Sequence, residues 1–119
     1  MATPESNISL TSLDRYTEGD STFKKELIGH LLGNLEELNI KLEQAVHANS
    51  ADSVRFAIHK IKTTIEILSL NHLRGLLEQM VELLEKPNLE NESKALLSEI
   101  KLSTEEISSA LSKAQAELG

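Results

Sequence analysis

The sequence predicts an all-α protein, an antiparallel four-helix bundle with a short extra N-terminal helix. Two observations exclude most strand-based folds: runs of β-branched and aromatic residues of strand length are missing, and no Asn-Gly or Asp-Gly hairpin turn occurs. A third observation favours helices, because leucine recurs at steps of three and four residues through most of the chain. Short breaks separate four long stretches of this kind, and long helices joined by short connections pack antiparallel.

The N-terminal third is predicted to hold a leader and two helices. Residues 1–9 are polar, and we expect a loose leader there, with a short first helix over about residues 8–16. After a glycine-containing break, Asp20 or Ser21 can cap a second helix that runs from about residue 22 to 48. The apolar stripe of this helix consists of Phe23, Leu27, Leu31, Leu35, Leu38, Leu42 and Ala45.

Three further helices complete the predicted bundle. The third is expected over residues 51–68 with Ser50 as its N-cap, and the fourth begins near Asn71, which can cap it. Pro87 cannot continue a helix, so the fourth ends there, and the last helix runs from about residue 92 to 118. The predicted core members are Val54, Ala57, Ile58, Ile61, Ile65 and Leu68, then Leu73, Leu76, Leu77, Met80, Leu83 and Leu84, then Leu96, Ile100, Ile107, Leu111, Ala114 and Leu118.

Composition and charge narrow the function classes. With 119 residues we expect one domain, and 19 acidic against 12 basic residues give a net charge of −7. Because binders of nucleic acid or anionic membrane need clustered bases, we expect neither partner. The chain has no Cys, and no His pair has the spacing of a helical metal site, so we expect no metal or cofactor of its own. No signal peptide or spanning run is evident, and we expect a cytoplasmic protein. Met1 and the compact length favour a free-standing chain over a domain cut from a larger protein, and we expect a monomer.

The third helix carries the one arrangement of residues that suggests chemistry. At about 100° per residue, His59 lies roughly 150° from the centre of the apolar stripe and should face solvent. Arg55, Lys62 and Glu66 fall on the neighbouring sector, and three bases with no acid lie between Arg55 and Lys62. The other outward positions are Phe56, Thr63 and Ile67. The two apolar residues of this set are exposed to a partner unless another helix or the leader segment covers them.

An exposed imidazole is substantially neutral at pH 7, and neutral imidazole is a nucleophile. Lys62, one helical turn from His59, could balance the charge of an arriving phosphoryl group. Other interpretations stay open at this point. His59 and Lys62 are equally compatible with a solvated helix surface, and Arg55 with Glu66 could form a surface charge pair through water.

The segment from Phe56 to Leu70 resembles the core motif of histidine-containing phosphotransfer (HPt) domains. It reads Phe-Ala-Ile-His-Lys-Ile-Lys-Thr-Thr-Ile-Glu-Ile-Leu-Ser-Leu, against the family pattern Ala-His-x-Leu-Lys-Gly-Ser-x. His59 matches the phosphorylated histidine, Ile61 the leucine and Lys62 the lysine. The helices before and after this segment also resemble those of the family, so the resemblance covers nearly the whole chain.

The resemblance implies a phosphoryl carrier that is not itself a kinase. His59 would accept a phosphoryl group from a receiver-domain aspartate and pass it to another receiver, Lys62 would stabilise its charge, and Mg²⁺ would belong to the receiver. The implied partners are response-regulator receiver domains and a hybrid sensor kinase. Docking is expected on the exposed faces of the second and third helices. The docking residues would be Arg55, Phe56, Thr63, Glu66 and Ile67.

The sequence departs from the family pattern at two positions, and the first of them, Thr63, keeps an alternative open. Thr63 stands where the family has Gly and adds bulk beside the histidine, and Ser69 replaces the usual Gly at the helix end. The alternative is an HPt-like bundle that has lost transfer and acts as a protein-interaction module. A generic helical adaptor, in which His59 is incidental, is a weaker third hypothesis.

Overall fold

The computed structural model describes residues 10–118, which form five α-helices and no strand. The helices are α1 (Leu10–Thr17), α2 (Ser21–His47), α3 (Ala51–Leu68), α4 (Asn71–Leu84) and α5 (Glu90–Leu118). The predicted all-α class is confirmed, whereas the expected leader, residues 1–9, lies outside the described residues. None of these helices is both long and apolar enough to cross a membrane.

The four long helices form the predicted bundle. α2 packs against α3 and α5, and α4 packs against the same two helices, so each long helix has two neighbours. Short turns connect consecutive helices, which places them antiparallel. α1 packs against α2 and α3, and this outer contact matters for the site because it covers part of α3.

The starts of α2 and α3 follow the sequence signals. The Asp20 carboxylate accepts a hydrogen bond from the Phe23 backbone N–H at 2.9 Å, and the Ser50 hydroxyl accepts one from the Ser53 N–H at 3.1 Å. Each side chain satisfies an amide that the first helical turn leaves without a partner. Both predicted caps are therefore confirmed.

The starts of α4 and α5 differ from the predictions. Asn71 is the first residue of α4 rather than its cap, and Leu70 occupies the cap position without a side-chain hydrogen bond. Leu70 is buried, so apolar packing rather than capping fixes this start. α5 begins at Glu90, about two residues earlier than predicted, and Glu90 and Glu92 in its first turn favour a helix N-terminus electrostatically.

The core draws side chains from all five helices. Fully buried members include Leu13 of α1, Ile28 and Leu35 of α2, Leu68 of α3, Leu77 and Met80 of α4, and Ile100 and Ile107 of α5. One predicted core residue is wrong: Phe23 is 44% exposed, and its ring lies 6.4 Å from that of Tyr16 on α1. Phe23 sits in the first turn of α2, where α1 rather than the bundle is its neighbour.

Ser69 ends α3 in the left-handed backbone conformation, with φ 56° and ψ 47°. The next residue, Leu70, donates its N–H to the Ile65 carbonyl at 3.0 Å and is buried. This is a helix-end motif in which glycine is strongly preferred, because an L side chain is strained at positive φ.

Replacing Ser69 with Gly is expected to stabilise the protein by about 0.5–1 kcal/mol, because relief of strain outweighs the added entropy of the unfolded chain. Thermal unfolding should show a midpoint higher by about 2–5 °C. Asn49 is the matched control. It also has a positive φ, of 54°, but asparagine tolerates that conformation, so Asn49→Gly should gain less. An unchanged or lower midpoint for Ser69→Gly would show that its backbone is not strained.

Candidate functional site

His59 lies near the middle of α3 and is exposed, as its helical position predicts. It borders a groove between α3 and α4. The other residues that line the groove are Arg55, Ile58, Lys62, Ile65 and Glu66 of α3, with Arg74 and Glu78 of α4. The imidazole has no hydrogen-bond partner among residues 10–118, so its nitrogens are open to solvent or to a second molecule.

Lys62 shares this groove with His59. Its side chain is 65% exposed, and its ammonium lies 4.0 Å from Glu66 Oε1, at the outer limit of an ion pair. An exposed pair of this kind contributes about 0–1 kcal/mol, since water competes for both charges. Lys62 can therefore leave Glu66 at little cost and contact another anion.

The other two bases of the His59 segment are paired with acids. Arg55 contacts Asp52 and Glu85, and Lys60 donates to Glu37 at 2.9 Å. The hydrogen bond to Glu85 is the main cause that raises the pKa of Arg55, and the bond from Lys60 lowers the pKa of Glu37. The local excess of positive charge expected from the sequence is thus largely neutralised, because acids of α2 and the end of α4 lie beside α3.

Arg55 and Glu66, for which the sequence leaves open a surface pair through water, each have another direct ion-pair partner. Arg55 is held by Asp52 and Glu85 instead, and the ion-pair partner of Glu66 is Lys62. The sequence of α3 alone could not show this, since Glu85 comes from the end of the next helix.

Phe56 and Thr63 are exposed on the outer face of α3, as expected. Phe56 is 62% exposed, and the Lys60 ammonium lies 5.8 Å from its ring centre, within the range of a cation–π contact. A shallow depression beside Phe56 is lined by α2 residues that include Lys41 and Gln44. The outer face of α3 therefore borders α2 on the Phe56 side and α4 on the His59 side.

Ile67 is not part of this exposed face. Its side chain is 8% exposed and belongs to the core, so its predicted docking role through an exposed apolar surface is wrong. α1 packs against α3 in addition to α2 and α4, and the apolar stripe of α3 alone does not predict this extra neighbour.

Two groove residues were missed by the sequence analysis. Arg74 and Glu78 lie on α4 and border the same groove as His59, which extends the surface around His59 beyond the expected faces of α2 and α3. Neither has an ion-pair partner within the part of the chain that the structure describes. Their spacing of four residues on the polar face of α4 is the sequence signal that could have identified them.

Comparison of the chain with protein-family models, with curated proteins and with solved structures found no match. The function is therefore inferred from the residues around His59 and from the bundle that presents them. Within residues 10–118, no group of three or more His, Asp or Glu side chains is arranged to hold a metal ion.

Proposed function

We propose that this protein is a histidine phosphotransfer protein of a two-component phosphorelay, with His59 as the phosphoryl acceptor. The observation that supports this most is a groove between two helices of the bundle. It contains an exposed imidazole that has no hydrogen-bond partner among residues 10–118, together with the loosely held ammonium of Lys62. The proposed partners are receiver domains and a hybrid sensor kinase, and the proposed place of action is the cytoplasm, with the chain as a monomer.

In the proposed step, Nε2 of neutral His59 attacks the phosphorus of an aspartyl phosphate on a receiver. The new P–N bond forms as the P–O bond breaks, and the electron pair of that bond returns to the aspartate as a carboxylate. The proton of the other ring nitrogen is released to solvent. Transfer to a second receiver is the reverse of these steps, with the aspartate as the nucleophile.

The carrier and its partner both stabilise the charge of the transferred phosphoryl group. Lys62 offsets the negative charge of the phosphoryl group on the carrier side, and Mg²⁺ of the receiver does so on the other. Because the groove is open, a docked receiver must exclude water from it. Ile58, which is partly buried at the groove, offers apolar contact to a docked receiver. The exposed ring of Phe56 offers more on the α2 side of the same helix face.

Incubation with a panel of receiver domains that carry radiolabelled aspartyl phosphate tests the proposal. We expect acid-labile label to move to the chain from at least one receiver. The interaction-module alternative predicts that a receiver binds the chain, for example in gel filtration, but no label moves. Binding without label transfer across the whole panel would therefore contradict the carrier role and favour that alternative.

Replacing Lys62 with Ala should slow phosphoryl transfer about tenfold, which is about 1.4 kcal/mol in the barrier, because one cation is lost beside the phosphoryl group. Lys62→Arg keeps a charge there and should retain most of the rate. The initial rate of label transfer measures this effect, and circular dichroism should show unchanged helix content.

Lys113, an exposed lysine on α5, provides the matched control. Lys113→Ala should transfer at the rate of the unmodified chain. If the Lys62 and Lys113 variants behave alike, Lys62 has no role in charge stabilisation, as the adaptor hypothesis requires.

A further inference from the structure

Arg55 lies one helical turn before His59, and both side chains border the groove between α3 and α4. Side chains four residues apart on a helix have Cβ atoms about 5–6 Å apart. A helical side chain ordinarily covers the turn N-terminal to its own Cα, which for His59 is the turn of Arg55. In the unphosphorylated protein the Arg55 guanidinium is held away from His59, by Asp52 and Glu85. A phosphoryl group on His59 would form one helical turn from Arg55, within reach of its long side chain if the guanidinium leaves these carboxylates.

The present partners of Arg55 hold it only weakly. Its side chain is 48% exposed, that of Glu85 is 49% exposed and that of Asp52 is 93% exposed. Water competes strongly for charges this accessible. The contact with Glu85, the residue that caps α4, nevertheless joins the N-terminal part of α3 to the end of α4.

A phosphoryl group is a stronger partner for arginine than one carboxylate. It carries close to two negative charges at neutral pH and has three acceptor oxygens. The planar guanidinium can donate two parallel hydrogen bonds to such a group. Arg55 would thus gain by exchanging Glu85 for the phosphoryl group.

We infer that a phosphoryl group on His59 takes the Arg55 guanidinium from Glu85, so that Arg55 and Lys62 hold it from the two sides of the histidine. This inference rests on the proposed role of His59. It makes Arg55 a second phosphoryl-binding cation, in addition to a docking residue. It also means that the Arg55–Glu85 link between α3 and α4 exists in the unphosphorylated protein and is lost in the phosphorylated one.

Chemical phosphorylation of the full chain by potassium phosphoramidate tests this without any receiver. Mass spectrometry near neutral pH follows the rate at His59, with His30 and His47 as internal references. Because a nearby cation lowers the barrier to an incoming phosphoryl group, Arg55→Gln should lower the His59 rate about threefold. Glu85→Gln removes one of the two carboxylates that hold Arg55 and should raise the rate about twofold. Glu43→Gln breaks a remote exposed ion pair with Lys101 and should leave the rate unchanged.

The opposite signs separate this inference from a merely structural role. Arg55→Gln and Glu85→Gln remove the same contact between α3 and α4, so a structural role would move both rates in one direction. Rates that move together, or that both stay at the level of the unmodified chain, would overturn the inference.

The Nε–H signals in an ¹⁵N NMR spectrum provide a second readout. Phosphorylation should shift the signal of Arg55 and leave that of Arg15 on α1 in place. An Arg55 signal that stays unshifted in fully phosphorylated protein would also overturn the inference. If the rate and NMR results are obtained as expected but no receiver transfers its phosphoryl group to the chain, the proposed function is contradicted. The inference about Arg55 is not.

Discussion

Replacing His59 with Gln is expected to reduce phosphoryl uptake from a phosphorylated receiver to the background of the assay. The glutamine amide has a similar reach but no nucleophilic nitrogen, so no P–N bond can form. His59 is exposed and has no hydrogen-bond partner among the described residues, so the substitution should change stability by less than about 0.5 kcal/mol. Label uptake and thermal unfolding, measured on the same preparation, check both parts.

His30 is the matched control for this substitution, since it is an exposed histidine on α2. His30→Gln should take up label as the unmodified chain does. Equal uptake by the His59→Gln variant and the unmodified chain would show that His59 is not the phosphoryl acceptor.

Replacing Leu77 with Ala should lower the free energy of unfolding by about 3 kcal/mol, within the range of 2–5 kcal/mol measured for buried leucines. Leu77 is 0% exposed and belongs to the core shared by all five helices. The loss is a large part of the roughly 5–15 kcal/mol that stabilises a typical domain. Urea unfolding followed by circular dichroism measures it.

Leu102, on α5, is the control for the same change in chemistry at the surface. It is 62% exposed, so Leu102→Ala should cost less than about 0.5 kcal/mol. Similar costs at the two positions would mean that α4 does not contribute to the core as described.

The fold could be predicted from the sequence because its signals are local. The leucine stripes of the long helices, the caps Asp20 and Ser50, and Pro87 all act within a few residues of the chain. Phe23 and Ile67 differ from their predicted positions because tertiary contacts decide their surroundings. The ring of Phe23 lies beside that of Tyr16 on α1, and Ile67 is part of the core that the helices share.

The candidate site, too, could be predicted from the sequence only where it depends on one helix. The outward position of His59 and the proximity of Lys62 follow from the geometry of one helix, and the structure places both in one groove. Of the acids that pair with Arg55 and Lys60, Asp52 lies on α3 itself, whereas Glu37 and Glu85 do not. The approach of these two, and of Arg74 and Glu78 of α4, depends on how the bundle assembles. Helix periodicity within α3 could not reveal them.

The central claim, that His59 receives a phosphoryl group from a receiver domain, is tested most directly by locating that group. The chain is incubated with a phosphorylated receiver, digested near neutral pH and mapped by mass spectrometry. The account predicts one phosphoryl group, on the peptide that contains His59, with His30, His47 and His72 unmodified. A phosphoryl group on another residue would contradict it. So would a chain that stays unmodified while the receiver loses its phosphoryl group to water.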